Sequence, residues 1–361
     1  MAFIILIAFL SLISLVVLHE LGHFVLAKRF GVKVEEFGIG LPPRIIGKKI
    51  GETIYSLNLL PFGAFVKIYG EEGGIEDYRS FSSRPIWQRS LIVLGGVVVF
   101  WIIGFILLSI IMLLGASTLI EDTDNHNLVD PRVQITQLAA GSPAEMAGLK
   151  IGDTIKQLKV GDDQIQTTKV KEVQDFTASH LSEEVTITIQ RGKEIFDTKL
   201  VLRASPPENE GPMGIGLDRV ATISYPWYQA PIQGAIATWN LTIAIIQGLY
   251  LILKGLIVGT GLPAGTQIMG PVGIFSVFTQ MAQLGASYFI GFIAVISIYL
   301  AVFNILPIPA LDGGKLIFLA IEAIRKKPVP EKIEQRITVF FFALLMVIML
   351  WATIKDVIRL F

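Results

Sequence analysis

Long stretches without any charge alternate along this chain with polar stretches that carry nearly all of its lysine and arginine. Residues 2–18 are free of charged groups, and the apolar pattern runs on through a short polar cluster to Lys28 and Arg29. Further apolar runs cover Leu91–Leu114, Tyr288–Leu306 and Val339–Ile354. A helix needs about 20 mostly apolar residues to cross a bilayer. The pattern therefore predicts about four transmembrane helices: at 1–28, at 89–115, within 284–325 (where a shorter helix follows the span) and at 336–360. The first run lacks the basic start and small-residue cleavage site of a signal peptide, so a retained span is expected there.

A fifth run, Ala230–Val258, is apolar enough to count as well. Basic residues argue against a simple crossing. Lys28 to Arg89 holds ten of them between the first two spans, and Arg325, Lys326, Lys327, Lys332 and Arg336 lie between the last two. The positive-inside rule puts both loops in the cytoplasm, which requires an even number of crossings between them. Residues 228–279 are accordingly expected to form an interfacial amphipathic or re-entrant region. Residues from about Glu121 to Tyr225 then lie outside the cytoplasm, as do both termini.

That outer stretch has a pattern of its own. Val133-Gln-Ile-Thr-Gln-Leu138 and Val185-Thr-Ile-Thr-Ile-Gln190 alternate like half-buried strands, the second followed by an Arg191-Gly-Lys193 turn. Between them Ser142 and Pro143 stand where a helix cap and first helical residue would stand. A compact module of mixed strands and short helices is expected at 127–204. Residues 29–88, on the cytoplasmic side, are expected to form a membrane-associated β region.

Composition changes the picture little. Of the 361 residues, 52% are hydrophobic and 17% charged, with thirty basic residues against thirty acidic ones, so no nucleic-acid partner is expected. Mean hydropathy is +0.63, that of a membrane protein. The absence of cysteine excludes disulfides, thiolate catalysis and cysteine-bound zinc.

Chemistry is concentrated at His19-Glu20-Leu21-Gly22-His23. Histidines four apart share one helix face and can hold one metal ion, while Glu20, one step round, can take a proton from a water that the metal activates. Ionisable groups inside a span are costly and mark function; the alternative is a pair of histidines satisfied within a helical bundle. Catalytic zinc has three protein ligands as a rule, and His126 and His180 fall on the wrong side of the membrane. Asp312 is the third candidate: it follows a span, among Pro307, Pro309, Gly313 and Gly314. Its other reading is an N-cap for the helix that follows. Asn304, near the same depth, suits either an oxyanion or substrate carbonyl or a helix–helix hydrogen bond.

HELGH at 19–23, NILPIPALDGG at 304–314, GPVGI at 270–274, and GIGLPPRI and YSLNLLPFGAFVK between the first two spans together resemble the site-2 protease family of intramembrane zinc metalloproteases. The branch that cleaves anti-sigma factors (the regulator-of-sigma-E protease type) is the most similar. GSPAEMAGLKIGDTI in the outer module is similar to a bacterial PDZ domain. The resemblance implies Zn2+ held by His19, His23 and Asp312, with Glu20 as general base and Asn304 positioning the substrate. It also implies a strand edge at Phe62, Gly63, Ala64, Phe65 and Val66 for an unwound substrate. Gly63-Ala64 stands where the family usually has two glycines, and there is room for one PDZ domain where some members carry two. The expected fold is thus a polytopic α-helical membrane protein with a cytoplasmic β-hairpin region and one extracytoplasmic mixed α/β PDZ-like domain. Its expected setting is the inner (plasma) membrane, with the active site near the cytoplasmic side. The expected partners are the bilayer and single-span substrates such as anti-sigma factors or signal-peptide remnants. The contrasting expectation is a proteolytically inactive PDZ scaffold.

Overall fold

The computed structural model describes residues 2–71, 77–123, 129–207, 210–261 and 269–360; the side chains of 2–4, 62, 116–119, 129 and 359–360 are outside that description. In chain order the elements are α1 (Ala2–Arg29), β1 (Val34–Ile50), β2 (Thr53–Ile68), α2 (Ile86–Leu114), β3 (Ala116–Leu119), β4 (Val129–Leu138), α3 (Pro143–Met146), β5 (Thr154–Val160), β6 (Asp163–Gln166), α4 (Val170–Ser179), β7 (Glu184–Arg191), β8 (Glu194–Val201), β9 (Ile215–Ile223), α5 (Ala230–Val258), α6 (Pro271–Leu284), α7 (Ala286–Asn304), α8 (Asp312–Arg325) and α9 (Glu331–Leu360). They fall into two compact units: 1–109 with 233–279 and 290–361, and 110–232 with 280–289.

Five helices are long and apolar enough to cross a bilayer among the described residues: α1, α2, α5, α7 and α9. That is one more than the sequence reading expected, because Ala230–Val258 is one unbroken helix. Its contacts give its direction. Gly234 lies against Ser109, and Trp101 Nε1 donates to Thr242 Oγ1 at 3.2 Å. Moving eight residues up α5 thus moves eight residues down α2, so the two run antiparallel over about 12 Å. α7 is also antiparallel to α2: Ala301 packs on Val97 and Phe100, Ser297 Oγ donates to the Phe100 carbonyl at 2.8 Å, and Ile298 lies against Gly104. α5 and α7 therefore point the same way along α2.

The GPVGI segment starts α6, where the Gly273 N–H donates to Asp356 Oδ2 of α9 at 2.7 Å. Asp356 is buried. A Cβ on Gly270 or Gly273 would stand within 3.0 Å of its carboxylate, so both glycines are demanded by close approach.

β1 and β2 form a two-stranded sheet whose strands both bend. Residues 36–39 consequently have partners on both sides: Ala64–Lys67, running antiparallel, and Ile54–Leu57. Residues 44–50 pair beyond these with 53–58. Among the described residues, the segment 64–67 is therefore an outer edge, paired with β1 on one side and with no strand on the other.

The other unit is a seven-stranded sheet in the order β3-β9-β4-β5-β7-β8, with β6 paired to β5. Its core gathers Val133, Ile135, Ile155, Leu158, Ile187 and Ile189 from the inward face of the strands and Val173 and Phe176 from α4. Ser142 Oγ accepts from Glu145 N at 3.1 Å while Glu145 Oε2 accepts from Gly141 N at 2.6 Å, a reciprocal cap ahead of Pro143. The sheet draws in β3 and β9, both outside the expected 127–204, and residues 124–128, with His126, lie outside the described residues.

Candidate metal centre

His19 and His23 face one side of α1 and are each 7% exposed. Their Nε2 atoms stand 3.2 Å apart, and Asp312 Oδ2 lies 3.4 Å from the first and 3.6 Å from the second. A tetrahedral zinc with bonds of about 2.0–2.2 Å needs donor atoms roughly 3.3–3.6 Å apart. The three atoms make a triangle of that size. Two further observations fit a cation among them. Asp312 Oδ2 is buried without a hydrogen-bond partner, and the Nδ1 of His23 faces the Ile92 carbonyl at 2.9 Å. A carbonyl only accepts, so Nδ1 carries the proton and Nε2 is left with its lone pair. His19 is oriented differently, its ring stacked on Phe100 with centroids 4.6 Å apart.

Glu20 sits beside the triangle, with Oε1 4.0 Å from His19 Nε2. The Val66 backbone N–H is directed at its carboxylate. Val66 belongs to the outer edge of β2, so Ala64, two residues away, also turns its backbone groups to the free side. The edge predicted as Phe62–Val66 thus borders the catalytic face of α1 at Val66; the Phe62 side chain lies outside the described residues.

Asp312 is the first residue of α8, and the cap position belongs to Leu311, which makes no side-chain cap bond. The aspartate is held there by a tight turn. Ile308 N donates to the Leu306 carbonyl and Leu311 N to that of Ile308, while a Cβ on Gly313 or Gly314 would collide with the backbone of residues 305–309. Asn304 Nδ2 donates to the Leu300 carbonyl one turn back on its own helix, at 2.8 Å, a bond that belongs to neither of its two expected readings. No described contact joins it to the two histidines, Glu20 or Asp312.

Several residues that matter here escaped the sequence reading. Gly96 faces both imidazoles, and a Cβ there would come within 2.6 Å of His19 Cε1 and His23 Cε1. Gly22 and Gly95 let the backbones of α1 and α2 touch, since a Cβ on Gly95 would stand 2.8 Å from the Gly22 carbonyl oxygen. The available signal was a Gly-Gly pair inside an otherwise bulky 29-residue apolar helix. Glu71 lines, with Asp312, Lys315 and Glu334, a cavity of about 400 Å³. Burial holds its carboxyl above the usual range, against the pull of Lys315. Lys315 Nζ donates to the Glu71 carbonyl at 3.0 Å and to Glu334 Oε1 at 2.6 Å.

α8 is anchored to α2 by a two-pronged ion pair, Arg89 with Glu322, whose Nη1···Oε2 leg is 3.0 Å. Both side chains are largely buried. Removing one partner of such a pair leaves an uncompensated charge, so Arg89→Met should destabilise the protein by about 3–5 kcal/mol, while the double change Arg89→Met with Glu322→Met recovers most of it. Unfolding midpoints in detergent check both, and a double variant as unstable as the single one would show that charge compensation is not the cause.

Residues 7–348 match peptidase family M50. A Clostridium perfringens protein that carries the name putative zinc metalloprotease is 35% identical over 97% of both chains. The zinc metalloprotease RasP of Shouchella clausii is 28% identical over 99% of both, and the regulator of sigma-W protease RasP of Bacillus subtilis is 28% identical over 96% of both. With a buried two-histidine, one-carboxylate triangle on apolar helices and a family match along nearly its whole length, this chain belongs to peptidase family M50, the site-2 protease family, and is a zinc metalloprotease.

Proposed function

We propose that the protein cleaves single-span membrane proteins within or beside the cytoplasmic leaflet of the inner membrane, with zinc held by His19, His23 and Asp312. The observation that carries this reading is the triangle of Nε2, Nε2 and Oδ2 atoms, with Glu20 beside it, on a helix apolar enough to cross the bilayer. Zinc, when bound, polarises a carbonyl and makes a water nucleophilic at neutral pH. Glu20 then takes the proton from the attacking water and returns it to the leaving amine. A peptide bond inside a helix is shielded by its own hydrogen bonds, so the substrate must unwind to react. The outer edge at Ala64–Val66 offers that extended segment replacement backbone partners. Asn304 keeps one amide N–H and its carbonyl oxygen for a substrate peptide group.

The Bacillus subtilis relative is named a regulator of sigma-W protease, which supports a substrate that controls a sigma factor, an anti-sigma factor being the membrane-bound class of that kind. The β3–β9 sheet, with α4 beside it, is read as a single PDZ-like module outside the cytoplasm that takes up substrate ends by strand addition.

Zinc content of detergent-purified protein, wild type beside Asp312→Ala, tests the ligand set. About one zinc per chain in the wild type and a sharp loss in the variant is expected. Zinc retained in full without Asp312 would force a different third ligand.

A further inference from the structure

We propose that residues 120–122 are a resident competitor in the strand-addition slot of β9, so that a peptide longer than about four residues binds only by displacing them. This rests on reading the β3–β9 unit as a peptide-binding module and names how that site is regulated.

The slot is the free edge of β9 next to α4. Ile215 and Leu217 pack with Val173 and Phe176 of α4 in one apolar cluster, which suits the side chains of an added strand. β3 already covers the other half of the same edge, pairing Ala116 with Ile223 through Leu119 with Val220. Ile120 continues it, its N–H donating to the Arg219 carbonyl at 2.9 Å. Among the described residues no strand lies beside Ile215–Asp218 on that side. A peptide adding antiparallel and ending beside Ile215 therefore has four positions before it meets Ile120.

The resident segment is held by more than its ladder. Arg219 is 5% exposed; its Nη1 donates to the Glu121 carbonyl at 3.0 Å and its Nε to the Thr168 carbonyl at 2.8 Å. Asp122 caps α4 from outside, its two carboxylate oxygens accepting from Val170 N at 3.1 Å and Lys171 N at 2.9 Å. These are helix-start donors with no partner inside their own helix. The segment follows α2 after the single residue Gly115 and the four-residue β3.

The test uses full-length protein in detergent and two fluorescein-labelled peptides with free C-termini: a four-residue peptide ending in valine, and a longer one with the same last four residues. Asp122→Ala should tighten the long peptide about fivefold, the equivalent of one lost helix cap, and leave the short one unchanged. The chain has no cysteine, so Ser117→Cys with Thr222→Cys, register partners, can lock β3 in place. The locked protein should bind the long peptide more weakly, recover on reduction, and bind the short peptide normally. Equal responses of the two peptides to either change would overturn the competitor. Binding of neither peptide to any form would instead remove the peptide-module reading, and the competitor with it.

Discussion

Glu20→Gln should lower peptide cleavage by about 10²–10⁴-fold and leave zinc content unchanged. Glutamine has the shape of glutamate and can still accept from the Val66 N–H that faces position 20, so the local structure has no reason to move. What it cannot do is take a proton. Because Glu20 stands outside the triangle of His19, His23 and Asp312, 4.0 Å from the nearest imidazole nitrogen, its charge is not required to hold the metal. The measurement is cleavage of a reconstituted membrane substrate beside metal analysis of the same preparation. Cleavage within a few-fold of wild type would sink the general-base role. Loss of zinc together with activity would place Glu20 among the ligands instead.

Gly96→Ala, a change of one methyl group on a different helix, should weaken zinc binding by about 10–100-fold, the range seen when groups supporting metal ligands are altered. The new Cβ would press on both histidine rings at 2.6 Å, closer than real carbon contacts come. Relief by moving α2 is blocked one residue earlier, where Gly95 already touches the Gly22 backbone of α1. The rings must turn, and with them the Nε2 lone pairs. Gly248→Ala is the control, because nothing lies within 4 Å of a Cβ there. Zinc competition with a chelator of known affinity reads the effect. Equal affinities for Gly96→Ala and wild type would mean that the helices separate more readily than their packing indicates.

The legible part of this molecule was whatever repeats locally. Runs without charge predicted α1, α2, α7 and α9, and alternation predicted β4 and β7, because a helix or strand of that kind is recognisable within a window of ten to twenty residues. Ser142 and Pro143 announced the start of α3 for the same reason. Ala230–Val258 was visible as an apolar run, yet its course was not. Length and composition do not say which helix it packs along, and it took Gly234 on Ser109 and Trp101 on Thr242 to set it beside α2. The role of β9 was hidden too. It lies about eighty residues from the strand it pairs with most extensively, β4, and nothing in its own sequence names its neighbours.

By itself, then, the sequence determined that both imidazoles share one face of an apolar helix with a carboxylate beside them, since the spacing of four residues and the helical period fix that wherever the helix goes. The tertiary structure alone decided the rest of the site. Asp312 could equally have capped α8, and only the packing of its glycine-rich turn brings Oδ2 to the histidines. Gly96 was one glycine among thirty-four until α2 came to lie across α1. A free strand edge exists only once β1 and β2 have bent to place residues 36–39 between two partners. These are contacts between residues tens to hundreds of positions apart, and they depend on which surfaces meet, which no local pattern encodes.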